Sequence, residues 1–418
     1  MKTLIIGGGL QGLCTALVLQ QNNLEVEILE SRENICLEAS YANGGMLTSA
    51  MSEPWNSPGV YKHLLGSTFK SNSSIMLPIQ SIPSVFFWGL QFLRNSSKKR
   101  HAKSTIDNYF LSCYSIKKTS KLRKTLNLNY KASACGTLKI FSDLNAMVEP
   151  LNLAVELSKV GLNFNKLNPQ QVLEKEPALQ DMEGEMAGGL YFPDDECGDA
   201  NLFCHCLMNE ITKNGGIIRT NTSVTKLVKE KGSIVGVETD RGTIKANNVV
   251  VTAGVQTQAL MKGLCVNIPI RPVKGYSLTL PVDTPEMLPK VAVVDDALHT
   301  AVSSIGNSLR VVGSAEFAGF DSSITQKRID DLYLLLEKLY PNVINKVDRE
   351  SAVSWAGLRP VSSDGKPFIG GCDVKGLYFN VGHGHLGWTM AMGSAHMLAD
   401  IFLGKTPELD SQPFRIGR

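Results

Sequence analysis

The chain has no long apolar run, no tandem repeat, no Cys-x-x-Cys pair and almost no net charge. Each absence removes a class of protein. No stretch of the 418 residues reaches the roughly 18 apolar positions that cross a bilayer. A net charge of +3 is too small to argue for nucleic acid as a partner. The nine cysteines are scattered and odd in number, with Cys204 and Cys206 the single close pair. That pattern suggests neither a zinc site nor a disulfide framework, and reduced thiols fit a cytoplasmic protein. His383 and His385 share one turn without a third ligand beside them, so no metal site is expected. Because the first motif begins at residue 1, no signal peptide is expected ahead of it.

What is present begins at once. Leu4-Ile5-Ile6 reads as a buried parallel strand, Gly7-Gly8-Gly9 as a tight turn, and Leu13 to Gln20 as an amphipathic helix. Gly7 permits the turn, Gly9 lets the backbone approach a phosphate, and Gly12 lets helix pack close on strand. The helix N-terminus then offers N–H groups and a positive dipole end to an anion. A second strand, Leu24 to Leu29, ends in Glu30, eighteen residues beyond Gly12. A carboxylate there accepts hydrogen bonds from a ribose. Strand, glycines, helix, strand and terminal acid in that order predict a dinucleotide site.

At this length one hydrophobic core is too few, and two interlocked domains are expected. The nucleotide pattern opens the chain, recurs at the apolar strand Val249–Thr252 with its small-residue exit Ala253-Gly254, and returns in the strand Leu377–Val381. Tandem domains do not produce this pattern. The expectation is an α/β (α+β) fold: a discontinuous Rossmann-like cofactor domain (1–55, 146–260 and 352–418) carrying an inserted antiparallel-sheet substrate domain (56–145 and 261–351).

Further segments carry chemistry. Gly382-His383-Gly384-His385-Leu386-Gly387-Trp388-Thr389 forms a second glycine-rich helix entry, suited to negative charge. Arg359, in Trp355-Ala356-Gly357-Leu358-Arg359-Pro360, suits a bidentate clamp on a carboxylate or, alternatively, a structural ion pair. Lys274 and Tyr276 flank Gly275 and point the same way in a strand. They line a substrate pocket, or Lys274 is a surface residue. Ile82–Leu93, IPSVFFWGLQFL, precedes Lys98-Lys99-Arg100. It reads as a helix packed in the second domain or as an interfacial membrane segment.

Together these segments resemble the D-amino-acid oxidase superfamily of flavoproteins, and most closely its bacterial D-amino acid dehydrogenases. The resemblance covers essentially the whole chain. It is carried by IIGGGLQGL at Ile5, ANGGMLTSAMSEPWNSPG at Ala42, CGTLKIF at Cys135 and GGLYFPDDECGDANLF at Gly188. PVKGYSLTLP at Pro272, WAGLRPVSSDGKPFIG at Trp355 and NVGHGHLGWTMAMGS at Asn380 continue it. It implies FAD, with the pyrophosphate near Ile6, Gly7, Gly9, Leu10, Gln11 and Gly12. The ribose then falls on Glu30, Ser31 and Arg32, and the adenine on the backbone of Val224. Ala42, Asn43, Gly44, Gly45, Ala253, Gly254, Gly357 and Gly382 fall near the flavin, and Gly384 to Thr389 at its pyrimidine side.

Arg359 falls where related enzymes hold the substrate carboxylate, with Tyr276, Lys274 and His385 as further catalytic candidates. Two departures bear on the substrate: His385 stands where the dehydrogenases usually have Thr, and Gly45-Met46 replaces Gly-Gln or Gly-Leu. The implied activity is oxidative deamination of a D-amino acid, with electrons passed to a quinone or another carrier and peripheral contact with the inner face of the membrane. Glycine or sarcosine oxidation and D-hydroxyproline dehydrogenation are the near alternatives. A non-catalytic FAD-bearing subunit and an NAD-dependent dehydrogenase belong to other classes.

Overall fold

A computed structural model describes residues 2–61, 75–77, 81–295, 298 and 300–418. Residues 62–74 and 78–80 of the expected substrate domain (56–145) lie outside these residues.

Strand Lys2–Ile6 is central to a six-stranded sheet ordered Phe368–Gly371, Leu377–Val381, Asn248–Val251, Lys2–Ile6, Glu25–Leu29 and Ile217–Arg219. All neighbours in it are parallel except the Phe368–Gly371 edge. The central runs Leu4-Ile5-Ile6 and Val249-Val250-Val251 are continuously apolar because both sheet faces are covered there. Leu4, Ile5, Val249 and Val250 are fully buried, and each contributes roughly 1.5–3 kcal/mol by leaving water.

Helix Leu10–Gln21 was expected to be amphipathic. Instead it is buried almost all round, from Leu10 and from Gly12 to Leu19. Helices Ala391–Phe402 and Ala200–Lys213 cover the flank that faces away from the sheet, so no polar face is needed.

The second sheet has nine strands and is mostly antiparallel. Its edge pair, Val353–Ser362 against Ile270–Pro281, runs ten residue pairs without a register shift. Helix Gln326–Leu339 packs on one face of this sheet and helix Ile82–Asn95 on the other. Strands Asn165–Leu167, Gly188–Phe192 and Val353–Ser362 hydrogen-bond into this sheet. The boundaries at 146 and 352 had grouped them with the nucleotide sheet. A run too short or too uniform to show alternation cannot indicate which sheet it joins.

Candidate active site

The first glycine turn is built to its residue types. Gly7 has φ of +111°, and a Cβ on Gly12 would lie 1.9 Å from the Gly7 carbonyl oxygen. Only glycine serves at either position. Thr252, at the end of the neighbouring strand, donates its hydroxyl to Ile6 O (2.8 Å) and Gly7 O (3.1 Å), locking the turn from beside it. Leu10 N donates to Ser40 Oγ at 3.1 Å.

Glu30 is buried, with Oε2 accepting from Gly8 N (2.7 Å) and Oε1 from Arg32 N (2.8 Å) and Ser31 Oγ (3.2 Å). Oε1 is thereby filled, and Oε2 keeps acceptor capacity for one further donor. The Arg32 side chain turns outward to Glu38. Thr222 N donates to Glu30 O and Asn221 N to Arg32 O, both at 2.8 Å. These bonds bring the start of the hairpin strand Val224–Glu230 beside Glu30.

The second glycine segment sits against the first. Gln11 Nε2 donates to Gly387 O at 2.6 Å, and Ser394 Oγ donates to Gln11 Oε1 at 3.3 Å. Two motifs at opposite ends of the chain thereby form one cradle. A Cβ on Gly384 or Gly387 would meet nothing closer than 3.8 Å, and one on Gly254 nothing within 4 Å. The Gly254 backbone therefore borders open space, and side chains at Gly384 or Gly387 would make only ordinary contacts. The loop at Ala42 is pinned from the other side: Ser303 Oγ donates to Gly44 O (2.9 Å), and Arg310 Nη1 to Asn43 O (3.3 Å). Gly45, at φ +69°, leaves no room for a side chain beside Ile305.

From the second sheet, Arg359 faces this cradle. Its cross-strand partner is Val273, and its guanidinium lies over Gly275, where a Cβ would stand 1.8 Å from Nη1. Nη1 donates to Ser314 O at 3.2 Å, and the guanidinium carbon sits 5.5 Å from the Trp55 ring centre. Trp55 stacks on His385 at 5.1 Å with planes 9° apart. Among the described residues no carboxylate pairs with Arg359. Burial without that compensation lowers its pKa to about 10. His385 borders the open volume, its Nε2 toward Met51 O at 3.3 Å. Neighbouring protein atoms, with the Arg359 charge adding to them, shift its pKa below the usual imidazole value.

Several expected site residues lie elsewhere. Lys274 and Tyr276 do not line the Arg359 pocket. They pair across the strands with Leu358 and Ala356, and with a side-chain period of two that is the opposite sheet face. There Lys274 Nζ bonds Asp321 (3.0 Å) and Ser323 O (3.2 Å), and Tyr276 OH donates to Glu316 at 2.8 Å. The expectation that they point the same way holds, but it is the wrong way for the pocket. Leu386 and Trp388 put their side chains into the core, Trp388 edge-on to Tyr130, and offer the cradle backbone alone. Thr389 Oγ1 accepts from Thr48 N at 3.2 Å.

Sequence reasoning missed Trp55, Thr252, His383 and Asp195. His383 is buried against Ser394 Oγ at 3.2 Å, and burial pushes its pKa down to about 3. Asp195 is almost wholly buried, accepting from Thr48 Oγ1 (2.6 Å) and Ser49 N (3.0 Å). Burial raises its carboxyl to about 7. An acid in the turn Asp194-Asp195-Glu196 gives no sign that it faces inward.

The sequence signature of FAD dependent oxidoreductases matches residues 2–401. A D-amino acid dehydrogenase of Vibrio cholerae is 34% identical over 412 residues, covering 97% of this chain and 96% of its own. The glycine oxidase of Geobacillus kaustophilus has a similar fold, with a TM-score of 0.78 at 21% identity over 100% of this chain and 98% of its own. The FAD-bound L-alpha-glycerophosphate oxidase of Mycoplasma pneumoniae aligns at a TM-score of 0.71 and 20% identity, over 98% of this chain and 96% of its own. The chain belongs to the FAD dependent oxidoreductase family, and its cofactor is FAD. The residues present fit that group: a glycine turn leading into a helix N-terminus at Gly7 to Gly12, an acceptor at Glu30 Oε2, and bare backbone at Gly254, Gly384 and Gly387.

Proposed function

We propose that the chain oxidises D-amino acids to imino acids, which water hydrolyses to 2-oxo acids and ammonia, and that electrons pass to a quinone or another carrier. When bound, FAD supplies the two-electron acceptor for the hydrogen on the substrate α-carbon. The protein's own part is positioning. Arg359 grips the carboxylate with two parallel N–H donors. The stacked Trp55 and His385 form a wall beside it. His385, being neutral, does not repel the substrate amine.

The observation that carries this reading is the half-buried guanidinium of Arg359, which no carboxylate pairs among the described residues, on the sheet face that meets the glycine cradle. A cation drawn partly out of water and left unpaired is costly unless an anion arrives, and a non-catalytic subunit has no use for one. The whole-length likeness to D-amino acid dehydrogenases supports the substrate class. Ile6, Gly7, Gly9, Leu10, Gln11, Gly12, Glu30, Asn43, Gly44, Gly45, Val224, Gly254 and Gly384 to Thr389 are proposed to hold the cofactor, Leu386 and Trp388 by backbone only.

The test is Arg359→Lys. A lysine is a point charge without the planar fork, and kcat/KM for a D-amino acid should fall about 100-fold, in line with the roughly 2–5 kcal/mol at stake in a buried pair. Unchanged turnover and KM would refute the clamp. A panel of D-alanine, D-proline, D-hydroxyproline, glycine and sarcosine, read by dye reduction and by oxygen uptake, separates this activity from the related oxidases.

A further inference from the structure

Two glycines, Gly275 and Gly357, stand opposite each other across the edge pair of the second sheet. Neither has a positive φ, so the backbone does not call for glycine at either position. What lies on them does. Over Gly275 lies the Arg359 guanidinium. Over Gly357 lies the indole of Trp355: a Cβ there would stand 2.0 Å from Cη2 and 2.1 Å from Cζ2. Trp355, Gly357 and Arg359 share one sheet face because side chains along a strand alternate. Directly opposed Cα atoms in antiparallel strands are about 4.5–5.5 Å apart. The benzo ring of Trp355 and the guanidinium of Arg359 are therefore neighbours on one floor, and a side chain on either glycine would lift its half of it.

The floor runs outward into aromatic surface. Trp355 is half-buried, whereas Gly357 and Leu358 beside it are buried. The Tyr41 ring centre is 6.5 Å from that of Trp355, and Tyr41 is 38% exposed. The strip beyond the guanidinium thus ends at an open rim of two rings rather than at a closed wall. Neither strand of the edge pair contains an acidic residue, so a cationic side chain lying here finds no partner on them. An apolar or aromatic one gains contact area and ring-to-ring geometry. Glycine, having no side chain, gains nothing from it.

We infer that Trp355 determines substrate specificity: with the carboxylate on Arg359, the side chain of the amino acid lies along the benzo ring of Trp355 and leaves past Tyr41, so that apolar and aromatic side chains are favoured. The inference rests on the reading of Arg359 as the carboxylate clamp and adds the residue that meets the rest of the substrate.

The experiment titrates the FAD-loaded protein by calorimetry with propionate and with β-phenylpropionate, which carry the carboxylate and a short or an aromatic side chain but no amine to oxidise. The aromatic acid should bind at least about tenfold more tightly. Trp355→Ala should bring the two affinities within about twofold of each other, and Trp355→Phe should keep most of the difference. Trp355→Leu, which fills the space without a ring, should also lose most of it and serves if the alanine variant does not fold. Arg359→Lys should weaken both acids alike and leave their ratio unchanged. In turnover, the ratio of kcat/KM for D-phenylalanine to that for D-alanine should fall about tenfold in Trp355→Ala. Equal binding of the two acids by the parent protein, or an unchanged ratio in folded, flavin-loaded Trp355→Ala or Trp355→Leu, would overturn the inference. Binding of neither acid would overturn it together with the clamp. A ratio that follows Trp355 in a protein that oxidises no D-amino acid would uphold this role of Trp355 and refute the proposed activity.

Discussion

Gly275→Ala tests the pocket without touching a charged group. Gly275 does not lie in the left-handed region, so its backbone accepts alanine, and the added methyl meets the Arg359 guanidinium: Nη1 at 1.8 Å, Cζ at 2.2 Å and Nη2 at 2.3 Å. Ordinary contact begins near 3.4 Å, so the guanidinium must retreat about 1.6 Å, where a misplacement of about 1 Å can cost roughly 100-fold. Because the obstructing atoms are the far end of a long side chain, folding should suffer only the about 1–3 kcal/mol of modest overpacking. The assay pairs kcat/KM from dye-linked oxidation of a D-amino acid with a guanidinium chloride unfolding curve of the same preparation. The expected outcome is a loss of about 100-fold in kcat/KM with FAD still bound. A wild-type kcat/KM in a folded, flavin-loaded Gly275→Ala protein would refute the claim that Arg359 holds the carboxylate.

Two other outcomes follow from the geometry. Gly12→Ala places a methyl 1.9 Å from the Gly7 carbonyl, with backbone rather than a flexible tip in the way. FAD retained through gel filtration should fall at least about tenfold, as the helix is forced off the turn proposed to receive the phosphates, and a full flavin complement would contradict the cradle. The Asp195 carboxyl is raised from 3.8 to about 7, so the folded chain holds this proton more tightly than the unfolded one. The stability it contributes is complete below about pH 4 and is lost as pH rises through about 7, with a slope of up to about 1.4 kcal/mol per pH unit. Asp195→Asn should flatten the dependence of Tm on pH across that window, and parallel curves for variant and parent would show that Asp195 does not titrate there.

The nucleotide half was legible because its constraints are local. Gly7, Gly12 and Glu30 are fixed by one turn and one strand spacing, and their roles can be read within 30 residues. Thr252 and the Gln11–Gly387 bond are not local: a hydroxyl at one strand end or an amide in a helix acquires its role only once the parallel sheet places it beside a distant glycine. In the second half, alternation along Ile270–Pro281 correctly put Lys274 and Tyr276 on one face. Which face looks toward the glycine cradle depends on how the sheet packs, and Arg359 lies on the face opposite Lys274 and Tyr276. The bare Gly275, which makes room for that arginine, carried the missing signal. Trp55 belongs to a short polar loop without periodicity, and only its stacking on His385 reveals it. The segment Leu13 to Gln20, expected to be amphipathic, is buried through Leu19, and Gln11 just ahead of it ties two motifs together rather than facing solvent.

The most direct test is anaerobic addition of a D-amino acid to the purified yellow protein, with its L-enantiomer as the control. The account predicts loss of the flavin's visible absorbance with the D-form alone, at a rate lowered about 100-fold by Arg359→Lys. Bleaching by the L-form instead, by both enantiomers alike, or by neither across the substrate panel would contradict it.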